Sequence, residues 1–202
     1  ILPNNHTKKL QPMVIPISIG LLDENGIDLI ETKVFELKKP RDTITFKGIE
    51  KKPTVSLLRE FSAPVTIERE ITDQDRLTLL TKDNDAYNRW DASQQLMLAS
   101  FEKIAFQKQE PNDELINAFC QIMQDQKLMP AFRAQLLSQP SISEIIAHFF
   151  KNNLPIDPEM IYTAKKIVSQ KLAESSNQFL EPLFQSLTRN VKYEPSAYQA
   201  GE

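Results

Sequence analysis

The chain has 202 residues, with 24 Lys and Arg against 27 Asp and Glu, and it is 41% hydrophobic and 25% charged. That is the composition of a folded globular protein, which excludes a disordered tail or a fibrous repeat, and a net charge of −3 argues against a surface built to hold phosphate backbones. The lone cysteine, Cys120, excludes an internal disulfide, and no apolar run approaches the roughly 18 residues of a membrane span, so a cytoplasmic protein with neither nucleic acid nor membrane as partner is expected.

Residues 1–11 read as a polar leader without the apolar core of a signal peptide. The absence of an initiator Met points to a piece of a longer chain. From Pro12 the apolar residues alternate, as on a strand with one buried face. Ile15, Ile17, Ile19 and Leu21 share one face, and Leu29, Phe35 and Leu37 follow with Glu31 and Lys33 between them. Asp23-Glu24-Asn25-Gly26 separates the two runs as a tight hairpin turn, with Asn25-Gly26 able to take positive φ. Shorter runs at Thr43–Phe46, Val55–Phe61 and Val65–Ile71 bring the expectation to five or six strands, an Ig-like antiparallel β-sandwich over residues 12–71.

Past Ile71 the period becomes helical. Thr72 with Asp75, Ser141 with Glu144, and Asp157 before Pro158 are side chains of the type that satisfy the free N–H groups of helix starts. Apolar stripes follow at Met97-Phe101-Ile104-Ala105, Leu115-Ile116-Phe119-Ile122-Met123, Ile142-Ile145-Ile146-Phe149, Met160-Ile161-Ala164-Ile167-Val168 and Phe179-Leu180-Leu183-Phe184-Leu187. Three of the four glycines precede residue 72 and the fourth is Gly201. Six or seven helices joined by short connections predict an α-hairpin array over residues 72–202, solenoid-like and cut short.

Chemistry-bearing residues are sparse. A catalytic zinc needs three protein ligands and an open position; His6 lies in the leader and His148 has no second His near it in the chain, so both read as surface histidines. Cys120 beside Phe119 reads as a small buried hydrophobe. The carboxylate pairs Asp83/Asp85 and Glu68/Glu70 read as solvated surface, the second pair alternating with Ile67 and Ile71. Lys38-Lys39-Pro40-Arg41 and Lys47 with Lys51-Lys52 lack interleaved aromatics and read as solvated loops. With no glycine-rich phosphate loop and no nucleophile elbow, the expected catalytic, cofactor-binding and metal residues are none.

Two stretches carry recognisable identity, Glu60-Phe61-Ser62-Ala63-Pro64-Val65 and Asn84-Asp85-Ala86-Tyr87-Asn88-Arg89-Trp90-Asp91-Ala92-Ser93-Gln94. In order and spacing they resemble the bacterial aminopeptidase N family of zinc peptidases. There F-S-A-P-V closes a small sandwich domain and N-D…R-W-D-A…Q opens a helical domain. Gln11-Pro12…Ile15-Pro16-Ile17 with Leu22-Asp23-Glu24-Asn25-Gly26 is similar to that sandwich's first hairpin. The family's H-E-x-x-H zinc motif and G-A-M-E-N loop belong to a preceding domain and do not occur here, so no catalytic or metal role passes to any numbered residue. The resemblance implies the noncatalytic middle of a zinc-dependent aminopeptidase, with zinc in the parent and none in this fragment. Its partners would be an upstream catalytic domain, further helices downstream, and peptide substrates for the parent. The isolated fragment is then not an enzyme. Trp90, the single tryptophan, is the expected packing anchor where the helices begin. The alternative is a stand-alone protein-binding module of β-sandwich plus α-hairpin array.

Overall fold

The computed structural model describes residues 13–187; the leader with His6, and Val191–Pro195 with Gly201, lie outside them. The chain divides into two compact units, residues 1–89 and 90–202.

In the first unit one antiparallel sheet has the order β2-β1-β3, with β1 (Ile15–Leu22), β2 (Lys33–Leu37) and β3 (Thr54–Leu57). As the central strand β1 is covered on both sides toward its end, so Ser18, Gly20 and Leu22 are buried together with Ile19 and Leu21, while Ile17 is half-buried. The turn after it forms as expected, by a slightly different route. Gly26 N–H donates to the Asp23 carbonyl at 3.1 Å, Gly26 alone has positive φ, 83°, and Asp23 Oδ1 accepts the N–H groups of Asn25 and Ile27, each at 2.8 Å. A turn closed by a left-handed glycine after Asn25 needs only one such residue.

Three strands stand among the described residues in place of five or six. Thr43–Phe46 is a mostly exposed loop with no ladder. Val65–Ile71 is held to β3 by a side chain instead of by backbone pairing, with Arg69 Nη1 donating to the Val55 carbonyl at 2.6 Å. Ladder pairing between β1 and β3 stops at Ile19–Leu57, and beyond it the Ser62 hydroxyl takes over: it accepts Ser18 N–H at 3.0 Å and donates to the Pro16 carbonyl at 3.2 Å. Val65 N–H then donates to the Ala63 carbonyl at 2.9 Å across Pro64, a three-residue turn that proline's fixed φ prepares. The F-S-A-P-V stretch is thus a device for leaving the sheet. Ile15, Leu58 and Ala63 form the adjoining core with Ile17, Leu37, Val65 and Tyr87 packed on it. Helix α1 (Asp73–Lys82) completes the unit, capped by Thr72 Oγ1 accepting Asp75 N–H at 3.0 Å.

The second unit is helical. It contains most of α2 (Ala86–Gln107), then α3 (Asp113–Gln124), α4 (Pro130–Leu137), α5 (Ile142–Lys151) and α6 (Pro158–Leu187). The Ser141–Glu144 box forms in both directions, Ser141 N–H donating to Glu144 Oε2 at 2.7 Å and Glu144 N–H to Ser141 Oγ at 3.3 Å. Asp157 Oδ1 accepts Glu159 N–H at 2.8 Å at the start of α6. The last two apolar stripes belong to one 30-residue helix: residues 170–181 contain neither Gly nor Pro to break it, and the helix continues past Pro182. Met97, Phe101, Phe119, Ile145, Phe149, Ala164 and Val168 are buried, whereas Phe184 and Leu187 at the end of α6 are exposed.

Candidate functional site

The most concentrated polar chemistry in the first unit lies around Arg59, which is only 3% exposed. β3 ends at Leu57, and Leu58, Glu60 and Phe61 take left-handed backbone angles, φ 56°, 58° and 52°. Each such non-glycine residue is unfavourable by roughly 1 kcal/mol or more. The bend turns Arg59 inward over β1. Its Nε donates to Ser56 Oγ at 3.0 Å, Nη1 to Thr32 Oγ1 at 2.8 Å, and Nη2 to Asp28 Oδ1 at 2.6 Å and Asp83 Oδ1 at 3.3 Å. Space for the guanidinium comes from Gly20, where an added Cβ would collide with the Arg59 guanidinium carbon and two of its nitrogens. Thr32 reaches it from a register shift: Leu22 bridges Asp28, so Ile19 would meet Glu31, yet it pairs with Lys33.

The α1–α2 corner, Asp83-Asn84-Asp85, supplies the other half. Asp83 Oδ1 also accepts Asp85 N–H at 3.0 Å. Asp85 Oδ2 accepts Glu60 N–H at 2.7 Å, steadying the strained bend, and its Oδ1 accepts from both Asn88 N–H and Nδ2 at 2.8 Å. Asn84 Nδ2 donates to Asp28 Oδ2 at 2.7 Å. Asp83 Oδ2 is buried with no hydrogen-bond partner. The reading of Asp83 and Asp85 as solvated surface is therefore corrected: both are buried, at 2% and 8% exposure, because Arg59 and backbone N–H groups replace water around them. Arg59 itself went unrecognised in the sequence; a lone Arg in the apolar run Val55-Ser56-Leu57-Leu58 was the available signal.

Arg59 lowers Asp28 through its hydrogen bond, whereas burial raises Asp83 despite the pull of the Ser56 hydroxyl, Asp85 N–H and Arg59. A carboxyl raised on folding favours the folded state when protonated, and that advantage fades as pH climbs from its unfolded value, about 3.9, through its raised folded value. Asp83→Asn removes this term. The variant should match the wild type below the unfolded carboxyl value, about 3.9, and melt at progressively higher temperature relative to it as the pH rises from there through the raised folded value of Asp83. Thermal melts across that range check this; a difference independent of pH would refute it.

The other candidates are scattered. His148 is not a bare surface residue: its Nε2 lies 2.8 Å from Glu102 Oε2, and Asn152 Nδ2 donates to the same oxygen at 3.3 Å. Cys120 is half-buried, and burial pushes its thiol up, away from the reactive thiolate. Glu68 and Glu70 are exposed as expected, on a loop instead of a strand. The lysine-rich loops are solvated, with Lys51 Nζ 3.3 Å from Glu24 Oε1. Trp90 is half-buried. Among the described residues no group of three or more His, Cys, Asp or Glu is placed to hold a metal ion. No helix among them is long and apolar enough to cross a membrane.

Comparison with known proteins accounts for both units. Residues 1–70 match a domain of unknown function, DUF3458, described as an Ig-like fold, and residues 73–202 match its companion DUF3458_C, described as ARM repeats. The chain is 30% identical to aminopeptidase N of Caulobacter vibrioides over 186 residues, 91% of this chain and 21% of that protein. It is 31% identical to aminopeptidase N of Escherichia coli over 176 residues, 81% of this chain and 20% of the relative. A crystal structure of Legionella pneumophila aminopeptidase A in complex with aspartic acid superposes with a TM-score of 0.80 at 27% identity, over 93% of this chain and 22% of that one. The chain thus spans about a fifth of the length of the relatives it matches.

Proposed function

Since the chain belongs to the DUF3458_C family of ARM-repeat domains and carries the Ig-like DUF3458 domain ahead of it, we propose that it is the noncatalytic middle of a zinc-dependent aminopeptidase that removes N-terminal residues from peptides. In this reading the two units brace a catalytic domain elsewhere in the parent chain and help cover its active site. The zinc, the peptide substrates and the activated water all belong to that domain. The parent works in the cytoplasm, with no nucleic acid or membrane as partner. The observation that carries the reading is the match of 81% and 91% of the chain, across both units, to one stretch of aminopeptidase N in two relatives.

In this reading further helices of the parent pack on the end of α6, where Leu180 and Leu187 are exposed. The test is reconstitution. The chain alone should release no nitroaniline from alanyl-p-nitroanilide and bind no stoichiometric zinc, while the parent should lose its hydrolytic activity when this segment is deleted. Turnover by the isolated chain, or a parent reading frame without H-E-x-x-H, would defeat the proposal and favour the free-standing binding module.

A further inference from the structure

Two recesses open on the second unit, and their linings differ in charge. One, of about 310 Å³, has Glu110, Asp157 and Glu159 beside Lys108 on its wall. The other, of about 430 Å³, lies between α5 and the first half of α6, and has Lys165 and Lys166 as its charged groups with no carboxylate in its lining. Its size falls in the range that holds one small ligand. In a chain of net charge −3, a cavity lined by apolar side chains and two lysines with no carboxylate is distinctive.

The apolar length comes from Ile142 and Ile146 on α5, one helical turn apart, facing Ile161 on α6. Ile142 is 59% exposed and Tyr162 on the rim 68% exposed. Gln139 Nε2 donates to Ser169 Oγ at 2.9 Å across one end. Lys165 is held there without an ion pair. Lys165 Nζ donates to the Pro140 carbonyl at 2.7 Å and sits 5.7 Å from the centre of the Phe101 ring. Neither Lys165 nor Lys166 has a carboxylate at ion-pair distance among the described residues. The nearest acid in influence, Glu144, is committed to Ser141 N–H and Oγ, each at 2.7 Å. Burial lowers Lys165, and Glu144 only partly restores it, so an arriving anion would recover charge stabilisation that the ammonium lacks.

We propose that this groove binds a small amphipathic carboxylate, its anion on Lys165 and Lys166 and its alkyl chain along Ile142, Ile146 and Ile161. Charge complementarity selects this occupant over a neutral or cationic one.

Isothermal titration of the chain with octanoate, octanol and octylammonium tests it. Octanoate should bind at least tenfold more tightly than octanol, the loss expected when a charge-assisted hydrogen bond is removed, and octylammonium should not bind. Lys166→Gln should weaken octanoate about tenfold. Ile142→Glu, an acid in the first turn of α5 that the helix dipole tolerates, should abolish binding without lowering the melting temperature. Equal binding of octanol and octanoate, octanoate affinity unchanged in both variants, or no binding heat at all would overturn the proposal. So would concentration-dependent self-association that octanoate does not relieve, since a second copy would then cover the groove.

Discussion

Arg59→Ala is expected to destabilise the first unit by about 3–5 kcal/mol, the cost of removing one partner from a buried ion pair. The loss is large because the remaining groups cannot rehydrate in place. Asp83 and Asp85 stay buried, Asp83 Oδ2 is already without a partner, and Ser56 and Thr32 lose the donor they share. The left-handed residues Leu58, Glu60 and Phe61 would lose the anchor that holds their strained path. At about 4–8 °C per kcal/mol for a domain of this size, the melting temperature should fall by more than about 10 °C. Arg59→Lys should recover little, because an ammonium has no planar fork to serve Ser56, Thr32 and Asp28 together. Gly20→Ala supplies an independent check. In the wild type its methyl group collides with the guanidinium, whereas after Arg59→Met the obstacle is a flexible thioether. The two substitutions should therefore be coupled by about 0.5–3 kcal/mol in a double-mutant cycle. Strict additivity, or melting unchanged by Arg59→Ala, would show that the network is not what holds the bend.

These features explain what could and could not be read from the residues alone. The helix starts were legible because a cap is local: Thr72 with Asp75, Ser141 with Glu144, and Asp157 before Pro158 each lie within three residues of the N–H they satisfy. Periodicity likewise placed Phe101, Phe119 and Phe149 in the core. The division of the chain into a strand-rich Ig-like part and an ARM-repeat part was legible on the same grounds. What failed was long-range. Val65–Ile71 alternates like a strand, but whether an alternating run joins a ladder depends on a neighbour, and here Arg69 contacts β3 by its side chain. Asp83 and Asp85 look like any acidic pair at a helix end, and their burial follows only when Arg59, 24 residues earlier in the chain, is folded over Gly20. Polar residues carry no periodic mark of burial, so a buried network is the part of a core that sequence patterning hides best. The cationic groove was missed for the same reason: Lys165 and Lys166 became conspicuous only once α5 lay against α6.

The same reasoning gives the second unit its sharpest expectation, on two neighbouring phenylalanines of α5. Phe149 is fully buried and meets Phe106 edge-on with ring centres 5.1 Å apart. Phe150 is 75% exposed. Phe149→Ala should destabilise the unit by about 3–5 kcal/mol, the sum of lost apolar transfer and the cavity left behind, and an aromatic pair adds to that. Phe150→Ala, chemically the same change one residue further on, should stay within about 0.5 kcal/mol of the wild type. Helix propensity cannot produce the contrast, since alanine is the better helix former at both sites. Nor can the end of the helix, because its closing bonds use backbone only: Leu154 N–H donates to the Phe149 carbonyl at 2.9 Å and Asn153 N–H to the Phe150 carbonyl at 3.1 Å, around a left-handed Asn153. Denaturant melts of the two variants decide the matter. A large loss for Phe149→Ala with none for Phe150→Ala means that α5 is fixed by its inner face, leaving its outer face free to serve as a wall of the groove; comparable losses would mean that Phe150 is covered by something in solution, and that the outer face of α5 is not open.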